Sequence, residues 1–84
     1  MDSQKYIRAL AIVQNLGIQQ KKSKENISLG KLHSIFADEV YESDYYCKLL
    51  IQKMSEKRLI SVQNVGKIQF FVKNITESLN NLTA

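Results

Sequence analysis

Apolar residues recur along the first part of the chain at Tyr6, Ile7, Leu10, Val13 and Leu16. These are the three- and four-residue steps of one helical face. The spacing predicts a first helix over residues 4 to about 19, capped by Asp2 or Ser3 and ended near Gly17. Residues 19–26, QQKKSKEN, lose the period and gather lysines, which reads as a solvated loop. Ser28 is a natural N-cap for a second helix whose stripe is Leu29, Leu32, Phe36 and Val40, and Ile27 before it suits a very short strand. After a break near residues 39–42, Ser43 caps a third helix. Its inner face is Cys47, Leu50, Ile51 and Met54, with Tyr46 at the edge, and its outer face is Asp44, Tyr45, Lys48, Gln52 and Ser55.

The period then changes from helical to alternating. RLISVQNVGKIQFFVKN, residues 58–74, reads as two strands around a turn. Opposed residues of an antiparallel pair share a face, so the loop length follows from the pattern. A two-residue loop would set Val62 against Gln69 and mix the faces. A three-residue loop, Asn64-Val65-Gly66, sets Val62 against Ile68 and Ile60 against Phe70 on one face, with Ser61 against Gln69 and Leu59 against Phe71 on the other. That is the type I turn with a G1 bulge, which wants glycine third in the loop, where Gly66 stands. Last, Asn74-Ile75-Thr76-Glu77 has the form of a capping box, and Ile75, Leu79 and Leu82 continue as a stripe. This predicts a short terminal helix over residues 75–82, too short to stand alone.

At 84 residues the chain is a single domain, 1–84, and its 44% hydrophobic content suffices for a core. One cysteine excludes an internal disulfide, and one cysteine with one histidine excludes a zinc set. Cys47 and His33 are expected as a core thiol and a packed, hydrogen-bonded side chain. A reducing, cytoplasmic setting is the expectation. No signal peptide or membrane span is legible, so no membrane association is expected. Net charge is +4, a lean toward polyanionic partners. There is no glycine-rich phosphate loop, nucleophile motif or metal-ligand spacing. The chain is therefore read as no enzyme, with no catalytic residue, metal or cofactor.

The order helix, loop, helix, turn, helix, hairpin, helix resembles the winged helix-turn-helix family over residues 5–73. The most telling stretch is LLIQKMSEKRLISVQNVGKIQFFVKN, a helix leaving through a basic residue and an apolar pair into a hairpin. The resemblance implies a mainly α fold with a β-hairpin wing at about 59–73, a three-helix core and a C-terminal helix. It implies binding to double-stranded DNA, with helix three entering the major groove by Tyr45, Lys48 and Gln52. Asn64 and Lys67 at the wing tip and Lys31 on helix two would meet the backbone or minor groove. Small transcriptional repressors of plasmids and phages belong to this family, as do centromere-binding adaptors of tubulin-like partition systems, which recruit a filament protein.

Two further readings come from the residues. Phe71, Ile75, Leu79 and Leu82 form an apolar stripe that is expected to make a homodimer seam, the alternative being that the terminal helix folds back onto helix one. The turn ADEVYESD, residues 37–44, carries four acids and no glycine. It supports a second function, a protein–protein interaction module using Asp38, Glu39, Glu42 and Asp44.

Overall fold

The computed structural model describes residues 3–40 and 43–83; Asp2, Tyr41 and Glu42 lie outside them. The first amphipathic stripe forms helix α1, Ser3–Ser23, which buries Tyr6, Ala9, Leu10, Val13 and Gly17. It runs past Gly17 and through most of the expected loop, leaving 24–26 outside the regular elements. Gly17 is therefore no C-cap. A β-carbon there would stand 2.7 Å from Val72 Cγ2 and 2.9 Å from Phe70 Cβ, so the glycine is where a strand end crosses the helix.

The chain reverses after Lys24, whose φ of 58° is left-handed, and forms β1, Ile27–Ser28. Ser28 then caps α2, Leu29–Glu39, by accepting from the Lys31 amide at 3.1 Å. Of the predicted stripe, Leu32, Phe36 and Val40 are buried, while Leu29 stays 37% exposed beside the hairpin turn. Ser43 caps α3, Asp44–Glu56, accepting from the Tyr46 amide, and Cys47, Leu50, Ile51 and Met54 enter the core as their spacing demands.

The third helix leads through Arg58, again left-handed at φ 59°, into β2, Ile60–Val62, and back along β3, Lys67–Phe70. The register pairs Ile60 with Phe70, Ser61 with Gln69 and Val62 with Ile68, as the alternation predicts. β1 adds to the other edge of β3, Ile27 against Ile68, giving an antiparallel sheet of order β1-β3-β2. The fold is thus mainly helical with a small three-stranded sheet.

The turn itself differs from expectation. A type I turn keeps Val65 right-handed, but Val65 sits at φ 62°, ψ 21°, and Gly66 at φ 74°. Two successive left-handed residues give the twist that suits the flanking strands, as in primed turns. The cost falls on a β-branched residue. Nothing packs on Val65 to repay it, since it is 88% exposed.

The last helix, α4, spans Val72–Thr83 and starts before the expected capping box. The Phe71 amide continues the hairpin ladder to the Leu59 carbonyl at 2.9 Å, and the Phe71 carbonyl accepts from Ile75, so the helix opens as the strand ends. Asn74, displaced from the cap, donates to the Arg58 carbonyl at 3.0 Å and ties α4 to the strained exit of α3. α4 lies along α1, where Gln14 donates to the Thr76 hydroxyl at 2.9 Å.

Candidate functional site

The outward surface of α3 is built by its helical period: with Cys47, Leu50, Ile51 and Met54 fixed inward, Tyr45, Lys48 and Gln52 must face solvent. All three are exposed, Tyr45 at 65%. Lys48 and Gln52 form one wall of an open groove of about 700 Å³ between α2, α3 and the hairpin. Leu29 of α2, Ile51 of α3 and Val62 of β2 supply its apolar surface. Tyr45, Asn64 and Lys67 do not line it.

Charges on this face are paired along the helix. Asp44 Oδ2 accepts from Lys48 Nζ at 3.2 Å, and Asp44 Oδ1 stands 3.0 Å from Nε2 of the part-buried His33 on α2. The His33 contact lacks hydrogen-bond geometry and Nε2 is buried without a partner, so the hydrogen bond expected of this side chain is not made at that atom. Asp44 itself sits in the first turn of α3, where the helix dipole favours an anion. Gln52 donates to Glu56 at 3.1 Å. Both contacts of the would-be reading residues are exposed, and exposed pairs at this spacing are worth only about 0.3–0.5 kcal/mol. A phosphate or base edge can therefore take Lys48 and Gln52 from their partners at small cost.

Lys31, Asn64 and Lys67 are all exposed. Pairing of Ser28 with Lys67 in the sheet, and the cap from Ser28 to the Lys31 amide, bring the backbones of Lys31 and Lys67 to one corner beside the hairpin turn. Asn64 stands at the tip beside Val65.

The expected homodimer seam is largely spent inside the chain. Ile75 is fully buried and Leu79 packs against the same core, because α4 folds onto α1. The structure takes the second alternative for this helix, and only Leu82, 48% exposed, and part-buried Phe71 remain of the seam. Of the acidic turn, Asp38 and Glu39 are not in the core and Asp44 is engaged as described.

Some surface features escape a reading by residue type. Tyr45 and Tyr46 meet edge to face, ring centroids 5.4 Å apart, and with Leu49 they make an apolar patch on the outer side of α3. On the flank of α3 away from the groove, Lys53 and Lys57 lie over the ring of Tyr6. The membership of Tyr6 in the first apolar stripe is the one signal in the sequence, and it says core rather than site. Among the described residues no set of His, Cys, Asp and Glu gathers for a metal, and no helix is long and apolar enough to cross a membrane.

Compared with models of protein families, with curated proteins and with solved structures, the chain matches none.

Proposed function

We propose that this chain is a winged helix-turn-helix protein that binds double-stranded DNA at specific sites, as a homodimer, to repress transcription or to mark a plasmid or phage centromere for partition. In this reading α2 and α3 form the helix-turn-helix, α3 enters the major groove, and β2–β3 is the wing. The observation that carries it is the coupling of α3 to the hairpin. The helix exits straight into a hairpin whose register is set by alternation and pinned from its far edge by β1. Lys48 and Gln52 thus share a groove with Val62 of the hairpin, and Lys31 and Lys67 lie where β1 meets β3. Phosphate contacts from these lysines would fix the docking register, and Lys48 and Gln52 would read base edges, each good contact contributing about 1–3 kcal/mol. Dimerisation would use apolar surface other than Ile75 and Leu79.

One observation favours a second reading. Tyr45, Tyr46 and Leu49 form an exposed apolar patch that begins next to Asp44 in the chain, a composition suited to a protein partner that would use the acids of the 38–44 turn.

The test is binding of the purified protein to labelled fragments of its own gene neighbourhood, with competitor DNA, at several salt concentrations. Specific binding should weaken by a log–log slope of about −0.9 per phosphate neutralised. It should be lost in K48A/Q52A with the circular dichroism spectrum unchanged. A footprint of tandem repeats would assign partition, and a lone palindrome repression. No preference for any fragment at low salt would refute the proposal and leave the protein-partner reading.

A further inference from the structure

The flank of α3 opposite the groove carries a second arrangement, independent of the DNA reading. Lys53 and Lys57, one turn apart, hold their ammonium groups 4.5 Å and 5.5 Å from the centroid of the same ring, that of Tyr6 in α1. The ring quadrupole attracts each cation but neutralises neither. The cleft around them, about 400 Å³ between α1, α3 and α4, is further lined by Ser3, Ser78, Asn81 and Leu82. No carboxylate lines it among the described residues. An adjoining groove that shares Lys53 and Lys57 is lined by one acid, Glu56, which accepts from Gln52.

Tyr6 adds the second observation. It is 8% exposed, and its hydroxyl oxygen is buried with no hydrogen-bond partner. A buried polar group left unpaired costs about 1–3 kcal/mol. Because this hydroxyl has no accessible surface, an arriving acceptor would return that only once the side chains covering it, Lys53 and Lys57 over the ring among them, swing aside. Burial pushes the Tyr6 phenol above its ordinary pKa, and at neutral pH it carries its proton with or without that shift. The cleft thus combines two cations and the side chains of Ser3, Ser78 and Asn81 beside the buried Tyr6 hydroxyl. A tetrahedral oxyanion has the charge and the several acceptor oxygens that this set lacks.

We propose that the Tyr6–Lys53–Lys57 cleft is a phosphate seat, the lysines supplying charge and, as they move off the ring to meet the anion, uncovering the tyrosine hydroxyl as a donor. The phosphate group would belong either to a free phosphorylated compound or to a nucleic-acid backbone.

The full-length chain tests this with inorganic phosphate titrated against chloride at constant ionic strength. The readout is the NMR signals of the Tyr6 ring and of the side chains of Lys53 and Lys57. The expected result is saturable shifts, with affinity reduced at least about tenfold in K53Q/K57Q, since losing two charge-assisted contacts removes more than about 1.4 kcal/mol. Y6F, which keeps the ring and therefore the packing, should weaken phosphate several-fold. Shifts that grow linearly without saturation, or that are the same in Y6F and K53Q/K57Q as in the wild type, would overturn the proposal. Repeating the titration on protein saturated with duplex separates the sources. Loss of the phosphate response assigns the seat to the DNA backbone, and an undiminished response assigns it to a free phosphorylated ligand. A chain that binds no duplex still gives the phosphate titration its full meaning.

Discussion

Gly17→Ala should destabilise this protein, although the same change in an ordinary helix interior stabilises it. Alanine is worth about 1 kcal/mol over glycine by helix propensity. Against that stands the contact. The new methyl would lie 2.7 Å from Val72 Cγ2 and 2.9 Å from Phe70 Cβ, whereas carbon pairs settle at about 3.5–4.0 Å. Neither neighbour can yield. The Phe70 atom is bonded to the β3 backbone, and Val72 in the first turn of α4 is β-branched with one favoured rotamer. α1 must therefore retreat from the strand, along a face that also packs Leu10 and Val13. Overpacking of this kind costs about 1–3 kcal/mol. The net expectation is a loss of up to about 2 kcal/mol, which in a domain of this size lowers Tm by up to about 15 °C. Gly30→Ala is the matched control, because an added methyl would have nothing within 4 Å and the residue sits on the exposed side of α2. It should gain up to about 1 kcal/mol from propensity alone. Thermal and urea melts followed by far-ultraviolet circular dichroism decide the matter, with an unchanged urea m-value showing that only stability moved. A Gly17→Ala protein melting at or above the wild type would refute the account of why a glycine stands inside α1.

Val65→Asn should raise stability by about 0.5–1 kcal/mol, since asparagine tolerates the left-handed conformation that Val65 is forced into; an unchanged or lower Tm would show that the turn is not strained. Ile75→Ala should cost about 2–5 kcal/mol, while Leu82→Ser should stay within about 0.5 kcal/mol. The Ile75→Ala loss should be the same in melts at widely different protein concentrations, and dependence on concentration would return Ile75 to a dimer seam. Stability should also fall as pH rises past about 10, where the unfolded phenol of Tyr6 ionises while burial keeps the folded one protonated. The folded state then holds the extra proton, so the loss continues until the folded phenol itself ionises. Lysines titrate in the same range, and the difference between wild type and Y6F in urea melts isolates the tyrosine; equal curves would contradict its burial as the cause.

Legibility from sequence follows the range of the interactions involved. The hairpin register can be read because a period of two leaves a single loop length that keeps Ile60, Val62, Ile68 and Phe70 on one face. The caps at Ser28 and Ser43 can be read because a cap is settled within four residues. Gly17 misleads for the converse reason. Its role is set by Phe70 and Val72, more than fifty residues away, and locally a glycine after an apolar stripe looks like a helix end. Asn74 looks like a cap until the Leu59–Phe71 ladder contact moves the helix start ahead of it. On the candidate site, helical period is enough to expose Tyr45, Lys48 and Gln52. It cannot show that His33 comes up to Asp44, or that Lys53 and Lys57 share the ring of Tyr6, because those contacts need α1, α2 and α3 already packed.

The thirteen residues of α3 divide the functions of the helix among them by angle alone. One face is committed to the core and cannot change without unfolding the domain. The side toward α2 and the hairpin carries Asp44 and Lys48 beside an apolar groove, so its charge is largely neutralised and its contribution to binding is shape and hydrogen bonding. The opposite flank carries Lys53 and, at the C-cap, Lys57, with no acid lining their cleft among the described residues, so the unpaired positive charge of this helix lies there and not on the residues expected to read bases. Between them, Tyr45 and Leu49 keep the outermost strip aromatic and apolar. Electrostatic attraction to a polyanion would thus orient the domain through one flank while discrimination is exercised on the other. On the proposed DNA reading, and with the seat assigned to the DNA backbone, K48A/Q52A and K53Q/K57Q are separable. The first pair should cost specificity with little change in salt slope. The second should flatten the salt slope by up to about two while sparing sequence preference, whereas a seat for a free ligand leaves the slope unchanged.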